Sequence, residues 1–107
     1  MSESNIFTIY GTDPFLIELK RDEVFLELKK NNFFLREIFF NNDKTFKFES
    51  LYLENEASLF SEKRILDLRV YSPITKENTE QFIDFCLKLD QEKSLVLSIY
   101  NLSLIHI

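Results

Sequence analysis

The stretch IFTIYGTDP, residues 6–14, decides the fold because it ends a predicted strand and begins a predicted helix. Its first five residues are rich in β-formers and stop at Gly11, the only glycine of the chain. They predict a first strand that is buried on both faces. Asp13 is a good helix N-cap and Pro14 suits the first helical position. We therefore expect a helix from Pro14 to about Lys30.

The rest of the chain continues this alternation of strands and helices. Further strands are predicted at 35–40, 64–70 and 94–99, and further helices at about 46–55 and about 76–90. The first helix has apolar coverage from Leu16, Leu19, Val24, Phe25 and Leu28. In the last helix, apolar residues line one face at helical spacing (Phe82, Phe85, Cys86, Leu89). The order β-α-β-α-β-α-β predicts an α/β fold, a parallel sheet with helices on both faces in three layers.

Length and charge limit the kinds of function that this chain can perform by itself. Its 107 residues make one domain, and 45% hydrophobic residues are enough for a modest core. The net charge of −5 disfavours autonomous binding to a nucleic acid, because a domain that grips a phosphate backbone needs a basic face. We therefore expect contact with DNA only as part of a larger complex.

The compartment is predicted from features that the sequence lacks. Cys86 is the single cysteine, so no disulfide forms within the chain, as is typical of a reducing compartment. Residues 1–5 are polar and do not resemble a secretory signal. No apolar run approaches the roughly 20 residues that cross a bilayer. We expect a cytoplasmic protein without a membrane partner.

Residues for catalysis or for cofactor binding are scarce. A phosphate loop after the first strand needs several glycines and a lysine, whereas residues 11–14 offer Gly-Thr-Asp-Pro. One cysteine and one histidine, His106, do not make a zinc site or a nucleophilic triad. The acidic pairs Glu54/Glu56 and Asp22/Glu23 are more typical of a solvated surface. The sequence thus predicts no catalytic residue, no metal and no cofactor, and therefore not an enzyme on its own.

The most informative segment lies before the third predicted strand. There, Ala57-Ser58-Leu59-Phe60 places two large apolar residues beside small ones, and the strand that follows ends in Leu68-Arg69. Together with the Gly11-Thr12-Asp13-Pro14-Phe15-Leu16 turn, this segment resembles the delta subunit of the bacterial DNA polymerase III clamp loader. That family has a Gly-x-Asp-Pro-x-Leu turn in place of the phosphate loop, and a Ser-Leu-Phe motif before a strand. The resemblance covers residues 5 to about 101.

The resemblance implies a degenerate AAA+ domain that binds no ATP. In the family, a Leu-Phe pair enters an apolar cleft of the β sliding clamp and helps to open the ring. By motif, the pair is Leu59 and Phe60, with Ser58 and Ala57 beside it; Ala57 departs from the larger apolar residue often found there. Further partners implied are the gamma/tau and delta prime subunits, which join through downstream domains.

Three alternatives remain open at this point. A receiver-like α/β signalling domain has a similar length, but it requires an acidic pair after the first strand and a phosphate-accepting Asp at the end of the third. Here Asp13 is a single acid, and Asp67 lies inside a predicted strand. A degenerate nucleotide-binding ATPase is a further possibility, and Leu59 and Phe60 are alternatively plain core residues at a helix end. We assign residues 1–101 to the domain, and we expect residues 102–107 to be a non-native tail.

Overall fold

Four of the predicted strands and two of the predicted helices are present in the described part of the chain. The computed structural model describes residues 5–42, 46–47, 63–89 and 91–100. The elements are β1 (Ile6–Tyr10), α1 (Pro14–Lys30), β2 (Leu35–Phe40), β3 (Arg64–Val70), α2 (Lys76–Leu87) and β4 (Lys93–Ile99). Residues 57–60 and 102–107 lie outside the described residues, as does most of the predicted helix at 46–55. Its first two residues, Phe46 and Lys47, are not helical.

The four strands form one sheet in which every neighbouring pair is parallel. The order is β1-β4-β3-β2, with Ile6 opposite Leu95 and Leu66 opposite Leu95 on the other side. β2 pairs with β3 from Leu35 opposite Arg64 onward. The parallel α/β fold predicted from the alternation is confirmed. All four carboxyl ends consequently lie at one edge of the sheet, and all four amino ends lie at the other.

Alternate residues of the central strands enter two separate hydrophobic clusters. One cluster contains Leu66, Leu68, Val70, Leu95, Leu97, Ile99, Ile74 and Phe85, so α2 contributes to it. The other contains Ile65 and Val96 together with Ile9, Ile17, Leu28 and Phe33, so α1 contributes to it. This division follows from the alternation of side chains along a strand. Phe82, Cys86 and Leu89 pack against the first cluster, which confirms the predicted apolar face of α2.

Local signals set the ends of α1 where the sequence places them. The Asp13 side chain accepts a hydrogen bond from the Phe15 amide at 3.0 Å, and Pro14 occupies the first turn. At the other end Asn31 is the C-cap, and Asn32 adopts a left-handed φ of 69°. Asparagine tolerates that conformation better than most residues do. Asp13 is therefore a helix cap, as predicted.

Two predicted details of burial are wrong. β1 is not buried on both faces. Ile9 packs in the cluster to which α1 contributes, whereas Thr8 and Tyr10, which point to the opposite face, are exposed. β1 is also an outer strand of the described sheet and bonds only to β4. Leu16 and Leu19 are exposed rather than part of the apolar face of α1. The buried stripe instead follows Ile17, Arg21, Val24 and Leu28, with Val24 half-buried. Because apolar residues lie all around this helix, spacing alone does not choose the buried face.

Two boundaries also differ slightly from prediction. The last helix ends at Leu87 rather than near Asp90, and the Lys88 amide closes it by bonding back to Asp84 and Phe85. β4 begins one residue early, at Lys93. Such shifts of one to three residues occur where helix ends tighten and strands extend to meet a neighbour.

Candidate functional site

The turn after β1 occupies the position where a nucleotide-binding α/β protein carries its phosphate loop. The Gly11 amide donates to the Ile99 carbonyl at 3.2 Å, and the Ile17 amide donates to the Asp13 carbonyl at 3.1 Å. The Phe15 amide is held by the Asp13 side chain, and Pro14 has no amide hydrogen. These donors are engaged within the protein, and a carboxylate stands where an anion would bind. The turn therefore begins a helix and presents poor chemistry for phosphate.

Gly11 itself has no demanding backbone geometry. Its φ is not positive, and a Cβ added there would meet the Ile17 side chain at 3.7 Å, which is ordinary contact. A small cavity of about 190 Å³ lies beside the turn, lined in part by Ile9, Leu16 and Lys20. It is too small for a nucleotide, since sites for ligands of that size occupy about 300–1,000 Å³.

An arginine crosses the core near the edge of the sheet where the carboxyl ends of the strands lie. Arg21 of α1 is only 4% exposed, and its Nε donates to the Ser98 Oγ of β4 at 3.1 Å. Its Nη2 donates to the hydroxyl of Tyr100, and the guanidinium carbon lies 5.9 Å from the centre of that ring. No carboxylate pairs with Arg21 among the described residues. The Arg21 guanidinium is therefore held by two hydroxyl oxygens and an aromatic ring. These contacts fix the position of the side chain and do not make it reactive.

Three aromatic rings stack next to Arg21. The Tyr71 and Tyr100 rings lie 4.3 Å apart and nearly parallel, and the Phe40 ring follows at 6.1 Å from Tyr71. Burial raises the pKa of Tyr71, and its hydrogen bond with Tyr100 raises it further. The phenol of Tyr71 therefore stays protonated at neutral pH. This row connects the last residue of β2 with the residues that follow β3 and β4, at the edge of the sheet where the carboxyl ends of the strands lie.

Asp67, the residue that a receiver domain would have to phosphorylate, lies inside β3. It is fully buried, and its Oδ2 accepts from the Arg69 Nη2 at 3.0 Å. Burial acts to lower the pKa of Arg69, but the hydrogen bond and the charge of Asp67 outweigh it and raise that pKa. Although Arg69 comes near the end of β3, it is more than a solvated strand end, because its side chain neutralises a buried carboxylate. A carboxylate held in this way is not accessible to a phosphoryl donor.

Cys86 lies on the sheet-facing side of α2. Burial raises the pKa of its thiol to about 11. At neutral pH the thiolate, which is the nucleophile, is therefore scarce. The described residues contain no group of three or more His, Cys, Asp or Glu side chains able to hold a metal ion.

The opposite edge of the sheet, where the strands begin, carries an open groove. The groove has a volume of about 650 Å³ and lies between α1 and the first residues of β2 and β3. Its apolar lining comes from Phe25, Leu26, Phe33, Phe34 and Ile65. Phe34 is 68% exposed and Leu26 is 61% exposed. We call this feature the amino-edge groove.

Charged side chains surround the amino-edge groove. Lys29, Arg36 and Asp22 line it, and the Arg36 guanidinium lies 4.6 Å from the centre of the Phe25 ring. Neither Lys29 nor Arg36 pairs with a carboxylate among the residues that the structure describes. The groove is therefore apolar inside, with an excess of positive charge at its margin.

The segment predicted to bind a clamp joins the described chain at this same edge. Ala57, Ser58, Leu59 and Phe60 lie outside the described residues, and Lys63 follows Phe60 by three positions. The Lys63 Nζ donates to the Asn31 carbonyl at 3.0 Å and lies 5.2 Å from the centre of the Phe33 ring. Phe33 is part of the groove lining, so the chain enters β3 in contact with the groove wall.

Sequence reasoning missed both the buried Arg21 and the amino-edge groove. Arg21 had a usable signal, because it falls on the stripe Ile17, Arg21, Val24 and Leu28 with spacings of four, three and four. A charged residue on an apolar stripe indicates a buried partner. The groove had no such signal, because its walls come from separate elements that only the packing of α1 on the sheet brings together.

Comparison with protein families and with curated proteins identifies no relative of this chain: it matches no family model, and no curated protein is significantly similar to it. Among the helices formed by the described residues, none has the length and apolar character required to span a membrane.

Proposed function

We propose that this chain is the amino-terminal, clamp-binding domain of a DNA polymerase III delta subunit. In this proposal Leu59 and Phe60, flanked by Ser58 and Ala57, insert into the β sliding clamp and help to open it during DNA replication. The observation that carries the proposal is the order of two motifs on a parallel sheet. The turn at residues 11–16 directly follows β1, and the Leu-Phe pair precedes β3. The domain is a non-catalytic subunit in this role and requires no cofactor.

The chemistry of the turn supports a role without nucleotide. Amides that a phosphate loop would direct at its ligand instead bond to Asp13 and Ile99. A three-layer, AAA+-like architecture without a phosphate loop is the fold that we propose. The parallel sheet and its two clusters, one with α1 and one with α2, are compatible with it.

The strand order disfavours the receiver-like alternative. Receiver domains have the flavodoxin-like order 2-1-3-4-5, in which β1 lies between β2 and β3. In the described sheet β1 bonds to β4, and β2 bonds to β3 at the far side. Asp67, buried and paired with Arg69, is also no phosphate acceptor. The proposal of a clamp-binding domain therefore takes precedence.

The energetics of an apolar pair suit the proposed role. Burying one leucine or phenylalanine side chain stabilises a complex by roughly 1.5–3 kcal/mol. Two such residues would contribute roughly 3–6 kcal/mol, which changes a dissociation constant by about two to four powers of ten. A binder opens a ring only if it binds the open state more tightly than the closed one. Leu59 and Phe60 are therefore expected to make their full contact with the clamp when its interface is open.

The wider partners follow from the same proposal. The domain would work in the cytoplasm within a loader that also contains the gamma/tau and delta prime subunits. Those subunits would be held by further domains of the delta protein. Contact with DNA would come from the assembled complex, in keeping with the net charge of −5 on this chain.

The decisive experiment removes the side chains of Leu59 and Phe60. We expect Leu59→Ala/Phe60→Ala to weaken binding to the cognate sliding clamp by at least about a hundredfold, on the energies given above. Isothermal titration calorimetry measures the affinity, and circular dichroism checks that the fold is retained.

A matched control makes the same kind of change elsewhere. Ile83→Ala/Leu87→Ala also removes two exposed apolar side chains, in this case from α2. This control is expected to bind the clamp as the natural chain does. Equal affinity of the Leu59→Ala/Phe60→Ala variant and the natural chain would reject the assigned role of the pair.

A further inference from the structure

We propose that the amino-edge groove is a second contact for the same sliding clamp, receiving a segment that combines apolar and acidic side chains. The inference rests on the proposed function, since the clamp is its partner. It adds a surface of this chain that the Leu-Phe motif does not include. The groove is formed by α1, by Phe33 and Phe34, and by the first residues of β2 and β3.

Part of the apolar lining of the groove is exposed to water. Phe34 and Leu26 leave most of their surfaces in water, although both line the same concave site. Large apolar residues clustered in a groove with a polar margin are typical of surfaces that bind a partner. Aromatic anchors in such a site contribute most of the binding energy when they are covered.

The groove also has more cationic than anionic side chains in its lining. Lys29 and Arg36 stand at the margin without a carboxylate partner among the described residues, in a chain whose net charge is −5. Arg36 is held against the Phe25 ring, which fixes its position. The arrangement therefore favours an occupant with carboxylates beside an apolar side chain.

The described chain lies beside the groove just after the predicted Leu-Phe motif. Phe46 packs in the cluster on the α2 side, edge-to-face with Phe39 at 6.4 Å. The described chain thus leaves β2 on the face opposite the groove. It re-enters beside the groove at Lys63, three residues after Phe60, where the Lys63 ammonium covers the Phe33 ring. A clamp that receives the Leu-Phe pair would come to lie next to this groove.

The test reverses the charge of the groove margin. Lys29→Glu/Arg36→Glu is expected to weaken clamp affinity by at least roughly tenfold in 50 mM NaCl, and to make the remaining affinity less sensitive to salt. Lys20→Glu/Lys76→Glu makes the same change in net charge on exposed lysines away from the groove, and it is expected to bind as the natural chain does. Phe34→Ser, compared with Leu87→Ser, tests the apolar lining in the same way. Calorimetry at 50 and 200 mM NaCl gives the affinities, and circular dichroism monitors folding.

Each outcome separates this inference from the proposed function. If the groove variants bind the clamp normally while Leu59→Ala/Phe60→Ala does not, the second contact is rejected and the Leu-Phe contact stands. If the natural chain does not bind the clamp, both are rejected. If sedimentation shows a dimer of the natural chain that Lys29→Glu/Arg36→Glu dissociates, the occupant is a second copy and the clamp contact is overturned.

Discussion

Arg21 Nε donates a hydrogen bond to Ser98 Oγ at 3.1 Å, which links α1 to β4 inside the core across 77 positions of sequence. The guanidinium also reaches the Tyr100 hydroxyl, so one cation connects the helix, the fourth strand and the aromatic row that follows it. Because Arg21 is nearly inaccessible to solvent, water cannot take over its hydrogen bonds if a partner is lost. The position of α1, and with it one wall of the amino-edge groove, depends on this link.

The Arg21–Ser98 link is expected to be energetically coupled. Arg21→Met and Ser98→Ala should each destabilise the fold by about 1–3 kcal/mol, because each leaves buried polar groups without a partner. In the double variant the losses should not add, with a coupling energy of about 1 kcal/mol. Urea denaturation of the four proteins measures the cycle. Lys20→Met, a change at an exposed residue of the same helix, should alter stability by less than about 0.5 kcal/mol. Strict additivity would contradict the link.

The buried Asp67–Arg69 pair makes a second prediction. Arg69→Met leaves a fully buried carboxylate uncompensated and should cost about 3–5 kcal/mol of unfolding free energy. Asp67→Leu/Arg69→Met removes both charges and should recover most of that loss, because apolar replacements of a buried pair are often neutral. Chemical denaturation compares the two variants. A double variant that is less stable than Arg69→Met would show that the carboxylate has another essential partner.

The turn after β1 should tolerate loss of its glycine. Gly11→Ala is expected to change stability by no more than about 1 kcal/mol, because φ is not positive and the new methyl group only contacts Ile17. Asp13→Ala, in the same turn, should cost about 0.5–2 kcal/mol because it removes the helix cap. Thermal unfolding of both variants tests this ranking. A larger loss for Gly11→Ala than for Asp13→Ala would show that the turn needs glycine after all.

The thiol of Cys86 should affect stability at alkaline pH. Its folded pKa of about 11 lies above the ordinary value of 9.0, so the fold favours the protonated thiol. That contribution is complete below about pH 9 and is lost as the pH rises through 11. The natural chain should therefore lose more stability between pH 8 and pH 10.5 than Cys86→Ala does, as measured by urea midpoints.

The comparison with Cys86→Ala also separates the thiol from the phenol of Tyr71. The pKa of Tyr71 is raised as well, so its deprotonation destabilises the fold in the same direction. Because both proteins contain Tyr71, only the difference between them reports on Cys86. Identical losses would show that the thiol is not shielded from water.

Local sequence was sufficient for the six elements that the structure describes, whereas the predicted helix at 46–55 stays a prediction. β1, β2 and β3 have the predicted bounds, and α1 begins at Pro14 behind the Asp13 cap. Strand runs, caps and helix stops act over a few neighbouring residues, so they are visible in one sequence. The apolar face of α2 was also predicted correctly, since its large residues keep one helical spacing.

Burial was predicted less well wherever distant residues decide it. The sequence of β1 reads as a core strand, yet the strand lies at an edge of the described sheet because only β4 pairs with it. Leu16 and Leu19 look buried by composition, yet Arg21 occupies the inward stripe of α1. Leu59 and Phe60 stay a prediction from their motif, since they lie outside the described residues.

The sequence by itself thus determined the described strands and helices, the Asp13 cap and a turn unsuited to phosphate, because these depend on neighbouring residues. Tertiary structure alone decided the strand order, the partners of Arg21, the burial of Asp67, and the basic apolar groove between α1 and the sheet. Those features require contacts between residues far apart in the chain, such as Arg21 and Ser98. Their free energy depends on which elements pack together, and no local pattern specifies that choice.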